Sequence, residues 1–112
     1  MQMNEYQTQA TATAIYPGAG TGSASALAYL GLGLGEAGEI QGKIKKILRD
    51  SGGEISAETR LALAKELGDL QWYVAMLARE LGFSLHPIGR MNLAKLADRA
   101  DRGVLGGSGD ER

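Results

Sequence analysis

A chain of 112 residues is one domain's worth, long enough to enclose a hydrophobic core. Its 12 basic and 13 acidic side chains leave a formal net charge of −1, which gives no bulk attraction to nucleic acid or to an anionic membrane, and the absence of cysteine removes disulfides and thiolate metal sites. No run of about 18 apolar residues is present and residues 1–10 are too polar for a signal peptide, so a soluble cytoplasmic protein is expected.

Aromatics make up only 5% of the chain and β-branched residues are few, so the core is to be built mostly from Leu, Ala and Ile, on helices rather than sheets. The first predicted helix runs from Asn4, a candidate N-cap, to about Ala14. Tyr16-Pro17-Gly18-Ala19-Gly20-Thr21-Gly22 then forms a loop. Ser23 or Ser25 caps a second helix, carried from about Ser25 to Arg49, whose apolar stripe is Leu27, Leu30, Leu34, Ala37, Ile40, Ile44, Ile47 and Leu48. Five glycines inside it (Gly31, Gly33, Gly35, Gly38, Gly42) cost about 1 kcal/mol each against Ala, which points to a kink or to a very close neighbour.

Asp50-Ser51-Gly52-Gly53 ends that helix, and Ser56 caps the third, from about Ala57 to Leu81, where Gly82 stops it. Its stripe is Leu61, Ala64, Leu67, Leu70, Val74, Leu77 and Leu81. Ser84 is the predicted cap of a fourth helix, with Pro87 tolerated in its first turn, ending near Arg99 or Ala100. Residues 103–112 form a glycine-rich tail. The expectation is one all-α domain, a four-helix bundle.

Two segments carry the chemistry. Glu36 and Glu39 on the second helix, and Glu66 and Asp69 on the third, are pairs three residues apart, so each pair falls on one helical face. If those helices pack antiparallel, the four carboxylates converge. Such a group repels itself unless cations share it, and an oxygen-only donor set suits Mg²⁺ or Mn²⁺. Two basic groups stand beside this: Lys43, Lys45, Lys46 and Arg49 after the first pair, and Asn92, Lys95, Arg99 and Arg102 along one face of the fourth helix. Metal ions and cations together are what a polyphosphate requires. Gly33-Leu34-Gly35-Glu36-Ala37-Gly38 matches a dinucleotide-binding pattern, but its flanks are helical and its Glu would repel phosphate, so that reading is rejected. The only histidine, His86, reads as a packing or capping residue.

The full set of motifs resembles a known family. Glu36-x-x-Glu39, 26 intervening residues and Glu66-x-x-Asp69 look like the metal signature of the MazG-like, all-α nucleoside triphosphate pyrophosphohydrolases. Tyr6-Gln7, Tyr16-Pro17, residues 45–50, Glu66-Leu67-Gly68-Asp69-Leu70-Gln71-Trp72-Tyr73, Asn92-Leu93-Ala94-Lys95-Leu96-x-x-Arg99 and Gly107-Ser108-Gly109-Asp110-x-Arg112 are similar to its small bacterial and phage members.

That resemblance implies cleavage of a nucleoside triphosphate between the α and β phosphates, giving a monophosphate and pyrophosphate. It implies two or three Mg²⁺ ions (Mn²⁺ substituting) on Glu36, Glu39, Glu66 and Asp69, with Glu36 and Glu39 as catalytic residues. Lys46, Lys95 and Arg99 are then expected on the phosphates with Asn92 nearby, and Trp72 and the tail residues Asp110 and Arg112 at the base or closing over it as a lid. Relatives often carry a further acidic residue where Gly35 stands, so general-base work here falls to Glu36, Glu39 or the metal centre itself. A homodimer or homotetramer is expected, with sites drawn from more than one chain. A purine deoxynucleotide such as dGTP is the leading substrate; dUTP, a phosphoribosylated nucleotide, or a non-catalytic nucleotide-binding module are the alternatives.

Overall fold

The computed structural model describes residues 1–112, and its regular structure is entirely helical. α1 spans Met3–Ala10 and runs into a 3₁₀ turn at Thr11–Thr13; α2 is Ala24–Gly33, α3 Ala37–Asp50, α4 Ala57–Glu80 and α5 Leu85–Asp101. α2 and α3 are the second helix predicted from sequence, broken by a 3₁₀ turn at Leu34–Glu36. The chain keeps right-handed helical dihedrals through the break (Leu34 φ −61°, ψ −13°), so the pair is one kinked rod. Counted so, the four-helix all-α architecture stands. The kink falls where glycine is densest and the helix weakest.

Capping shows which serines act. Ser23 Oγ accepts from the Ala26 N–H at 3.2 Å and Ser56 Oγ from the Thr59 N–H at 3.1 Å, starting α2 and α4. The two other expected caps are corrected. Gln2, not Asn4, precedes α1, and its N–H donates to the Glu5 carboxylate at 2.9 Å. Ser84 makes no capping bond at α5; the Asn4 side chain accepts the His86 N–H there at 2.9 Å, and Gln7 Oε1 accepts the Leu85 N–H at 3.1 Å. Two amides of α1 thus satisfy the open end of α5.

Gln7 is buried and fully used, since its Nε2 also donates to the Ala75 and Phe83 carbonyls, each at 3.0 Å. Gln7→Leu would leave the Leu85 N–H without its acceptor inside the fold. A loss of about 1–3 kcal/mol in urea unfolding is expected, with the α1–α5 junction the first region to lose amide protection.

α4, at 24 residues roughly 36 Å long, is the central element and packs against α1, α2 and α3. The core gathers Ala10, Tyr16, Ala26, Leu30, Ala75, Met76, Ala78 and Leu85, where the alanines allow close helix approach. This core is confined to one end. Leu61, Leu67 and Val74 of α4, and Ile44 and Leu48 of α3, are exposed, contrary to the continuous buried stripe expected from their spacing. The physical reason is architectural: α3 and the first half of α4 form a two-helix hairpin without a third layer. Accordingly the radius of gyration is 17.0 Å, against about 13 Å for a compact chain of this length.

Candidate metal and nucleotide site

The kink and the middle of α4 bring three of the four predicted carboxylates together. Glu66 and Asp69 stand one turn apart on α4, Glu36 closes the 3₁₀ turn opposite, and one oxygen from each lies within 4.8 Å of the other two. Glu39, in the first turn of α3, is exposed and outside this group. Lys43 Nζ lies 3.7 Å from Glu66 Oε1, so one ammonium stands against three carboxylates. That imbalance, on two half-buried carboxylates and the exposed Asp69, is what a hard divalent cation relieves, and the donor set fits Mg²⁺ or Mn²⁺.

Beside the carboxylates lies a hollow of about 270 Å³ walled by Thr13, Glu36, Asp69, Trp72 and Tyr73. Trp72 sits there as a fixed wall, its Nε1 donating to Thr13 Oγ1 at 3.0 Å and the Ala10 carbonyl at 3.3 Å. Its ring meets Tyr73 and Tyr16 edge-on, with centroids 5.2 and 6.2 Å apart, and Tyr16 stacks on Tyr29 at 5.6 Å. Burial, then Tyr29, Glu36 and Asp69, raise the Tyr73 hydroxyl's pKa, keeping it neutral beside the acidic group. Thr13 carries no signal in the sequence; its place here depends on how the 3₁₀ turn after α1 meets α4.

Gly33 explains one of the helix glycines. A Cβ there would fall inside the Tyr73 ring, whereas Gly31, Gly35, Gly38 and Gly42 face open space. Gly33→Ala is expected to push the ring aside, costing about 1–3 kcal/mol as overpacking does, and to alter the near-ultraviolet circular dichroism of the aromatic cluster.

The cluster is anchored by a residue the sequence reading passed over. Glu80 is buried at the end of α4, where it accepts from the Tyr16 hydroxyl at 2.7 Å and from the Gly20 and Gly22 N–H groups at 2.6 and 2.8 Å. Gly20 and Gly22 aim their amides inward with φ of +83° and +67°, a backbone that only glycine adopts freely. Burial works against the Glu80 carboxylate, but the bonds from Tyr16, Gly20 and Gly22, with Arg79 nearby, outweigh it and hold its pKa below the ordinary value. Burial, then Glu80, pushes the Tyr16 phenol up to about 12.

The predicted phosphate ligands lie elsewhere in the chain. Lys46 is exposed on α3, in a separate shallow hollow with Lys43, Ser51, Glu58 and Thr59 at the loop end of the hairpin. Lys95, Arg99 and Asp110 come together, on α5 and the tail folded back on it; Arg112 bonds the carbonyls of the tail itself, and Asn92 is exposed further up α5. None of the α5 or tail residues lines the acidic hollow. A larger hollow of about 610 Å³ between the starts of α1 and α5, which includes His86 and Arg90, contains no carboxylate.

A helical fold with an acidic cluster across a kinked helix and its neighbour defines a class, and comparison with known proteins gives the family. Residues 24–104 match the MazG nucleotide pyrophosphohydrolase domain, and the chain belongs to that family. It is also 56% identical over 78 residues to a protein of Mycobacterium phage L5 described as the gene 37 protein, across 70% of this chain and 68% of that one. No solved structure matches it. No helix is long and apolar enough to cross a membrane.

Proposed function

We propose that this MazG domain is a divalent-metal-dependent hydrolase of (deoxy)nucleoside triphosphates, cleaving between the α and β phosphates to leave a monophosphate and pyrophosphate. The observation that carries this is the meeting of Glu36, Glu66 and Asp69 within 4.8 Å, on two helices, beside an aromatic-walled hollow. These three residues would hold Mg²⁺ or Mn²⁺, with Glu39, one turn further along, as a fourth carboxylate. When bound, the metal neutralises phosphate oxygens and makes a water more acidic. Glu36 and Glu39 are the carboxylates that would orient an attacking water and accept its proton; no carboxylate at position 35 shares the task. Trp72 and Tyr73 wall the place of the base, and a purine such as that of dGTP is the preferred occupant of that hollow.

The phosphate ligands of α5 and the tail belong in this reading to a second copy. A single chain leaves Leu61, Leu67, Val74, Ile44 and Leu48 exposed, and Gly31, Gly35, Gly38 and Gly42, spaced four, three and four apart, meet nothing. A partner laid on that hairpin would bury both surfaces in a homodimer or homotetramer and supply Lys95 and Arg99 to the neighbouring acidic cluster. Product analysis over a panel of NTPs and dNTPs tests the reaction. Monophosphate and pyrophosphate, dependent on Mg²⁺ or Mn²⁺ and abolished by EDTA, are expected; diphosphate with orthophosphate would overturn it.

A further inference from the structure

The cation pair on α5 is already occupied. Lys95 Nζ lies 2.8 Å from Asp110 Oδ1, and the Arg99 guanidinium lies 3.2 Å from the same oxygen while donating to the Asp110 carbonyl at 2.6 Å. The three partners differ in freedom. Arg99 is a buried cation, its side chain 7% exposed, whereas the Asp110 side chain is 75% exposed and rides on a loop containing Gly106, Gly107 and Gly109. Elsewhere the loop is tied largely to itself, the Arg112 guanidinium bonding the carbonyls of Val104, Leu105, Gly106 and Gly109, with one further tie from Arg102 to the Arg112 carbonyl. Lys95, then Arg99, holds the Asp110 carboxyl below the usual range, as expected of an anion in a receptive site.

Resting on the reading above that Lys95 and Arg99 take the phosphates, we infer that Asp110 is a built-in competitor for that pair, a tail carboxylate that must leave when an oligophosphate arrives. The carboxylate and a phosphate group cannot share the pair, because like charges at ~4 Å repel by ~1 kcal/mol in water and by several times that near protein. Asp110 is the exposed partner, carried on a glycine-rich loop, whereas Lys95 and Arg99 stand on α5, so the tail is the part that moves. A phosphate group offers more charge and more acceptor oxygens than one carboxylate and matches the guanidinium fork. The resting tail thus keeps a buried cation paired, and release of Asp110 is coupled to ligand entry.

The site is testable without the acidic centre, by titrating the full chain with inorganic pyrophosphate in EDTA. Asp110→Asn is expected to bind it about three- to tenfold more tightly than the unaltered protein, since the competitor's share of the population is removed. Asp98→Asn is the control; it deletes the same charge from α5 itself, where Asp98 pairs with Arg102 at 2.9 Å, and is expected to give a smaller gain. Lys95→Gln is expected to weaken binding. Pyrophosphate is also expected to speed amide exchange across residues 106–110. Absence of pyrophosphate binding, no gain in Asp110→Asn, an equal gain in Asp98→Asn, or unchanged tail exchange on saturation would each overturn the proposal. Loss of hydrolysis alone would count against the acidic centre, not against this site.

Discussion

Glu36→Gln and Asp69→Asn should each reduce pyrophosphate release by at least about a hundredfold, more than loss of an outer partner of a metal ligand costs. Each change keeps the side chain's size while removing one of three mutually close carboxylates. Both positions border the hollow, outside the buried core, so thermal unfolding should shift little. Glu39→Gln separates two roles. A large loss there would make Glu39 a working ligand or base that approaches the cluster when metal and substrate bind. A small loss would confine the centre to Glu36, Glu66 and Asp69. Single-turnover rates at saturating nucleotide give the cleaner comparison, because they separate chemistry from binding.

Glu80→Ala is expected to be the most destabilising change, by about 3–5 kcal/mol. It strands three donors at once: the Tyr16 hydroxyl and the Gly20 and Gly22 amides. It also frees the loop that seats Tyr16 against Trp72. Urea unfolding checks the magnitude, and pH profiles check the cause. The Glu80 pKa in the fold lies below its ordinary 4.5, so its contribution is present above that pH and fades as pH falls through the folded-state value. Tyr16 works in the opposite direction. Its pKa rises from 10.0 to about 12, so its contribution is complete below pH 10 and is lost as pH climbs toward 12. The unaltered protein should therefore weaken at both extremes, and Glu80→Ala should flatten the acid limb.

The parts legible in the sequence are those governed by local periodicity. Helix order, the serine caps at Ser23 and Ser56, and the pairing of Glu66 with Asp69 follow from spacing along α4 and its neighbours. The three-residue spacing puts Glu39 on the face of Glu36 only in a regular α-helix; the glycines point to a kink without fixing its place, and the 3₁₀ turn at Leu34–Glu36 changes the rotation per residue just there. Asn4 and Gln7 act on the start of α5, more than seventy-five positions along the chain, and Glu80 acts on a loop roughly sixty positions before it. No local pattern announces partners at that range. The exposed hairpin has another cause: its stripe has the spacing of a buried face, but within one chain no third helix covers it.

The decisive property is divalent-cation binding by Glu36, Glu66 and Asp69. Titrating the nucleotide-free protein with Mn²⁺ and following free ion by electron paramagnetic resonance measures this directly. Saturable binding at one or more ions per chain, displaced by Mg²⁺ and lost in Asp69→Asn, is the predicted result. Binding that survives Asp69→Asn and Glu36→Gln unchanged, or no binding with or without a nucleotide, would contradict it.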